Sequence, residues 1–396
     1  MAVVDRHLRI LAGAIGISAV GDFVAMVALA LRVHDMWSSG GVAVLFICLW
    51  SPLAILAGHV GLLVDRLETR AVAIAAAAFQ GVVALALAFV GSIGALLGLT
   101  FLLGIGVAVS QAAEFALIPL VSGSRSVGRA NGLVESARGV GFMIGPLIGG
   151  ALAQGVGVRT AILVDAATFA VIAAALVTLP VRRRPLADAG ATSPRAREGV
   201  TLLFADRVLA VAVGAGAVTL VFMSASIPGD FAFTEDVLGV HGVGFGLVLT
   251  AWAVGMVVAA NTIPGRIPAY ATATVTLLAA AVQGAAKFLP PFWLVFPFMV
   301  CCYVVGGAGH GVKNAGFRTL IHQRVAPERH GRAFAAYNGL RNSAELVALA
   351  GGGVLVAVLG GRGTLWIAGG VSAAAALLGV LALTARGDRE AAANAA

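Results

Sequence analysis

"GLLVDRLETR" (61–70) sets two acids, Asp65 and Glu68, among two bases, Arg66 and Arg70, in a chain that is 60% hydrophobic and 11% charged. Long apolar runs flank it on both sides, at 41 to 63 and 71 to 91. A hydrocarbon core ~30 Å thick takes about 20 apolar residues in a helix, and an α-helix pairs its own backbone polar groups there. The stretch therefore reads as a tight polar turn between two membrane spans.

The same reading extends along the whole chain. A mean hydropathy of +1.00 and 52 glycines in 396 residues exclude a soluble globular domain. Twelve spans can be drawn, six in each half. The first half gives 9 to 31, 41 to 63, 71 to 91, 95 to 119, 131 to 155 and 159 to 180. The second gives 208 to 228, 243 to 264, 269 to 289, 292 to 320, 335 to 360 and 363 to 384. The first apolar stretch is too long for the core of a cleaved signal peptide and is read as a span. Cys48, Cys301 and Cys302 all fall inside spans, so neither a disulfide framework nor a zinc spacing is present, and no metal or cofactor is expected.

Basic residues set the orientation. With the N-terminus inside, 18 of the 26 Lys and Arg fall on cytoplasmic segments and only Arg32, Arg159, Lys287 and Arg362 on the other side. Both termini are then expected in the cytoplasm of a cell whose inner membrane holds the chain. The net charge of +8 follows from this asymmetry, and a nucleic-acid partner is not required.

The chain repeats itself. "RANGLVESARGVGFMIGPLIGGAL" (129–152) has a counterpart in "AAYNGLRNSAELVALAGGGVLVAVL" (335–359), and "GIGVAVSQAAEFALIP" (104–119) parallels "GAGHGVKNAGFRTLIH" (307–322). The offsets, 338 − 131 = 207 and 307 − 104 = 203, are about half the chain. Such a parallel duplication divides it into an N-terminal six-helix half (1–180), a basic, proline-containing cytoplasmic linker (181–206) and a C-terminal six-helix half (207–396).

Two six-span halves joined by a long inner linker, with "GLLVDRLETR" between spans 2 and 3, resemble the major facilitator superfamily. Gly61, Asp65, Arg66 and Arg70 fall on that superfamily's signature loop, while Glu68 stands where a second glycine is usual. The resemblance implies an all-α polytopic membrane fold of twelve transmembrane helices in two pseudo-symmetric halves. It also implies that the loop acts as a latch, its carboxylate bonding nearby bases and helix N-terminal amides, with Glu114 as a third member.

The Gly21-Asp22 pair, the "VDRLETR" loop (64–70) and "GRAFAAYNGLRN" (331–342) together resemble the drug-efflux branch that contains macrolide and siderophore exporters. Gly141, Gly145, Pro146, Gly149 and Gly150 on span 5 resemble the glycine-proline motif of proton-coupled exporters; glycines four apart let helices approach, and proline opens the backbone ladder. The arginine many proton antiporters carry on span 4 is absent from "LGLTFLLGIGVA" (97–108).

Charges inside spans are costly and mark function. Asp22 lies about 13 residues into span 1, ~20 Å along the helix and near the midplane, and is the first candidate for proton coupling, followed by Glu135 and Asp165. Glu135 with Arg138, and Arg341 with Glu345, are expected to pair along their own helices. Lys313 and Arg318 have no local partner. Phe23, Trp50, Phe142, Phe222 and Trp252 are expected to contact substrate.

These readings describe a secondary transporter that exports amphiphilic organic molecules by alternating access in exchange for protons. It is expected to act as a monomer with a small-molecule substrate, protons and the lipid bilayer as partners. No phosphate-binding Gly-Lys-Ser/Thr loop supports ATP hydrolysis, and the chain is not expected to be an enzyme. The rivals are an uptake or lipid-flipping carrier of the same fold and a membrane acyltransferase built on His310.

Overall fold

A computed structural model describes residues 2–122, 127–180, 195–326 and 329–395. The chain divides into two compact units, Met1–Ala191 with Val240–Thr250, and Thr192–Gly239 with Ala251–Ala396.

The first unit is built from α1 (Ala2–Met36), α2 (Ser39–Ile55), α3 (Ala57–Arg66), α4 (Thr69–Phe89), α5 (Ile93–Ser122), α6 (Val127–Gly155) and α7 (Val158–Thr178). The expected second span is thus divided into α2 and α3. Pro52, inside α2, lacks the N–H that would bond four residues back, and the helix breaks at Leu56 soon after it. The polar turn that follows is stabilised by Glu68, the residue standing in place of the usual glycine. Its carboxylate caps α4 by accepting from the Arg70 and Ala71 amides at 3.1 and 2.9 Å. Arg70 in turn donates to the Val177 carbonyl at the end of α7, at 2.5 Å.

The second unit holds α8 (Arg195–Ala205), α9 (Arg207–Ala225), α10 (Ile227–Ala232), a π-helical turn (Phe233–Val237), most of α11 (Val243–Thr262), α12 (Thr272–Phe288), α13 (Phe296–Arg324) and α14 (His330–Ala395). Residue Gly360 of α14, at φ 64° and ψ −176°, is not helical and separates two spans at the expected boundary. Part of the expected linker is therefore the helix α8, whose Gly199 lies against the Arg332 carbonyl; residues 181 to 194 lie outside the described residues.

Among the described residues, nine helices are long and apolar enough to cross a membrane. Of the expected spans, the second, broken at Leu56, and the tenth, on α13, fall short, and the eleventh is counted with the twelfth from Gly351 onward. The tenth carries His310, Lys313 and Arg318, and these polar side chains lower its hydropathy. Twelve crossings remain the architecture.

The glycine pattern explains the packing of α1 on α6. An added Cβ at Gly141 would lie 2.6 Å from Ala19 Cβ, at Gly145 2.7 Å from Phe23 Cβ, and at Gly149 2.7 Å from the Val24 carbonyl oxygen. Successive turns of α6 thus press directly on the α1 backbone. A Cβ on Gly150 would lie 2.7 Å from the Gly242 carbonyl oxygen at the start of α11, and Gly246 of α11 lies against the Pro146 carbonyl. The duplication reappears in the second unit, where a Cβ added to Gly352 on α14 would lie 2.6 Å from the Ala225 carbonyl oxygen of α9. The equivalent helix pair in each unit is thus closed by a glycine. We expect Gly149→Val to reduce folded yield through about 1–3 kcal/mol of overpacking, while Ala151→Val on the exposed face leaves it unchanged. Size-exclusion profiles of the detergent-extracted protein check this; equal yields would show that the contact is not tight.

Candidate functional site

Two polar interiors lie inside the apolar bundles, one in each unit. The first is a narrow cavity of about 40 Å³, lined by Asp22 from α1, Gln80 from α4, Ser110, Gln111 and Glu114 from α5, and Arg138 from α6. Its volume has room for water but not for an organic molecule. Asp22 is exposed to it, whereas Glu114 is buried and paired with Arg138, Oε2 to Nη2 at 2.5 Å.

Asp165, on α7, is 1% exposed and closes the group from behind. A Cβ on Gly21 would lie 2.7 Å from its Oδ1, so the glycine before Asp22 is what lets the two acid-bearing helices meet. Asp165 is also close enough to Asp22 for the two charges to interact. Thr168 donates to the Asp165 carbonyl oxygen at 2.8 Å and so orients this turn. Asp22 thus lies within reach of both the Glu114–Arg138 pair and Asp165.

Two expectations change here. Arg138 does not pair with Glu135 three residues before it. Its partner is Glu114, on α5, because residue 135 is on the exposed face of α6 while 138 turns inward. Glu114 accordingly belongs to the interior cluster and not with the turn bases. Of the expected latch, Arg66 is exposed at the end of α3 and Arg70 bonds the α7 carbonyl within the same unit. The side chain of Asp65 lies outside the described residues, as does that of Gly61.

The second unit contains a cluster the sequence reading missed. Lys287, assigned to an outer loop by its position near a span end, is 3% exposed and bonds Asp230 Oδ2 at 2.6 Å and Ser226 Oγ at 2.5 Å. Tyr303 donates its hydroxyl to Asp230 Oδ1 at 2.5 Å. The ammonium also lies 5.3 Å from the Trp252 ring. The signal was available in "SIPGDFAF" (226–233), an acid in an apolar setting just past the drawn end of span 7. The helix α10 continues through its Pro-Gly and carries Asp230 inward.

Beside this cluster is a larger cavity of about 490 Å³. Lys313, Arg318, Arg341 and Glu345 supply its charges, and Phe317 and Tyr337 are among its aromatic walls. Arg341 bonds Glu345 at 3.1 Å along α14, the expected pairing. His310 has its Nδ1 3.1 Å from Gln283 Nε2 and its Nε2 2.8 Å from Asn314 Nδ2. A neutral imidazole offers one donor and one acceptor, so one amide must present oxygen to it. Gln283, whose Oε1 is otherwise buried without a partner, fits that role.

The expected aromatic contacts are elsewhere. Phe23 and Phe142 pack on each other at 4.9 Å between ring centres, Trp50 stacks on Phe46 at 5.0 Å, and Trp252 packs on Tyr303 and His310, both at 5.8 Å. Neither these four nor Phe222 lines either cavity.

Twelve crossings in two repeated units, each with a polar interior, define a membrane transporter. The Major Facilitator Superfamily model matches residues 11–349, and the chain belongs to that superfamily. It is a transporter and not an enzyme. Solved structures share the fold at low identity. One is a bacterial homologue of the human lysosomal transporter Spinster, inward-facing and unoccupied, at TM-score 0.73 and 15% identity over 96% of this chain and 97% of that one. A mutant of the nucleoside transporter NupG gives 0.71 and 14%, over 96% and 99%. A POT family transporter in complex with 5-aminolevulinic acid gives 0.72 and 10%, over 94% and 95%. No curated protein sequence matches the chain.

Proposed function

We propose that this protein is a proton-coupled antiporter that exports small amphiphilic organic molecules across the inner membrane by alternating access. The observation that carries the proposal is the surplus of acid in the first unit: Asp22 lies between Asp165 and the Glu114–Arg138 pair, three carboxyl groups to one guanidinium, beside a cavity with room for water. Three carboxylates and one cation cannot all ionise at low cost inside a membrane, so protons must supply the balance. Asp22, facing the cavity while Glu114 is held by Arg138, is the residue positioned to exchange them.

Export rather than uptake rests on the resemblance of the Gly141, Gly145, Pro146, Gly149 and Gly150 stripe to that of proton-coupled exporters. The test is transport into proteoliposomes made acidic inside, using three fluorescent probes that share a naphthylmethyl body and carry phosphate, carboxylate or ammonium. Accumulation of at least one probe above protein-free liposomes, abolished by a protonophore, is the expected result. No pH-driven movement of any of them would overturn the coupling.

The proposed orientation, with both termini cytoplasmic, has its own check. In a chain stripped of Cys48, Cys301 and Cys302, a cysteine at Tyr270, which is 89% exposed, should react in intact cells only with a membrane-permeant maleimide. One at Ser92, also exposed, should react with an impermeant reagent. The reverse pattern would invert the topology.

A further inference from the structure

We propose that the cavity of the second unit binds an organic anion, with a dianion preferred over a monoanion and cations rejected. This rests on the transporter reading above and names the chemistry of its substrate. Lys313, Arg318 and Arg341 contribute three positive charges and Glu345 one negative, which leaves two positive charges uncompensated by the lining residues, with His310 counted neutral. Arg341 and Glu345 satisfy one another.

Lys313 is the decisive group. It is 2% exposed, within α13, and has no ion pair or hydrogen bond among the described residues. An unpaired ammonium at such a place is costly unless a ligand or water completes it. Both ring nitrogens of His310 are taken by amides, so that ring offers the ammonium no free acceptor.

The apolar remainder of the lining, with Phe317, Leu220, Val213 and Tyr337, suits a hydrocarbon or aromatic body. A volume of about 490 Å³ falls within the range that holds a drug-sized molecule. A phosphate monoester or a dicarboxylate on an aromatic body supplies both halves of this description. Arginine grips such planar or tetrahedral oxyanions through paired N–H groups. In the first unit the charge balance is reversed and the cavity too small, so the two units divide the tasks of holding proton and substrate.

The experiment is equilibrium binding to the purified full-length protein in nanodiscs, read by calorimetry, with naphthylmethyl phosphate, naphthalene dicarboxylate, naphthoate and naphthylmethylammonium as probes. The order expected is the two dianions, then naphthoate, with no binding of the ammonium probe. Lys313→Met should weaken dianion binding about tenfold or more, and Lys313→Arg should retain it. Glu345→Gln should tighten the dianions several-fold, a gain that misfolding cannot mimic.

Binding of the ammonium probe as tightly as the phosphate, or equal dianion affinity in wild type, Lys313→Met and Glu345→Gln, would overturn the assignment. The phosphate and dicarboxylate arms then distinguish which oxyanion is preferred. Dianion binding without pH-driven transport would sustain this inference and remove the antiport reading; pH-driven transport of the ammonium probe alone would do the opposite.

Discussion

Asp22→Asn should reduce accumulation driven by a pH difference to the level of simple equilibration. One proton moving down one pH unit releases about 1.4 kcal/mol, enough for about tenfold accumulation per proton exchanged. Asparagine keeps the size and most of the hydrogen bonding of the protonated acid but cannot lose a proton, so the substituted transporter has no second charge state at this position. Substrate should still bind in the second unit, and exchange without a pH difference should continue. The arrangement of Asp22, facing the cavity while Glu114 bonds Arg138 and Asp165 is sealed against Gly21, makes the other two acids poorer substitutes. Glu135→Gln, on the exposed face of α6, should by contrast leave transport unchanged.

The second large effect concerns stability. Lys287→Met alone should destabilise the purified protein by about 3–5 kcal/mol, because it leaves the Asp230 carboxylate buried with only the Tyr303 hydroxyl to balance it. Adding Asp230→Asn should restore most of the loss, since the amide oxygen can still accept from Tyr303 and no charge remains. Thermal aggregation followed by size-exclusion fluorescence reads both. If the double variant is as unstable as the single one, the pair is not what holds α10 to α12 and α13. This cluster ties the π-helical end of span 7 to its neighbours, so any role it has is in fixing that segment.

The fold was legible because span length and loop charge are local properties. Each of the twelve crossings can be found in a window of about 20 residues, and the turn at Asp65 to Arg70 identified its neighbours through spacing alone. The spans that fail a test of length and hydropathy fail for reasons written in the chain: Pro52 breaks one, and His310, Lys313 and Arg318 weaken another. Site pairing was less legible because it is tertiary. Glu135 and Arg138 obey a helical spacing, yet the guanidinium reaches Glu114, 24 residues earlier on α5. Asp230 and Lys287 are 57 residues apart, and no periodicity in a single sequence links them. The aromatic residues singled out in the sequence were poor guides to the cavities, since burial against other rings is not visible in a single sequence, and it is Phe317 and Tyr337 that line the larger one.

The central claim is that substrate and proton move in opposite directions through exchange at Asp22. It is tested most directly by liposomes loaded with a pH-sensitive dye at equal pH on both sides, to which naphthylmethyl phosphate is added outside. In the wild type, entry of the probe should drive protons out and make the lumen alkaline, while Asp22→Asn should admit the probe with no change in lumenal pH. Alkalinisation of equal size in Asp22→Asn, with probe entry matched, would contradict the claim.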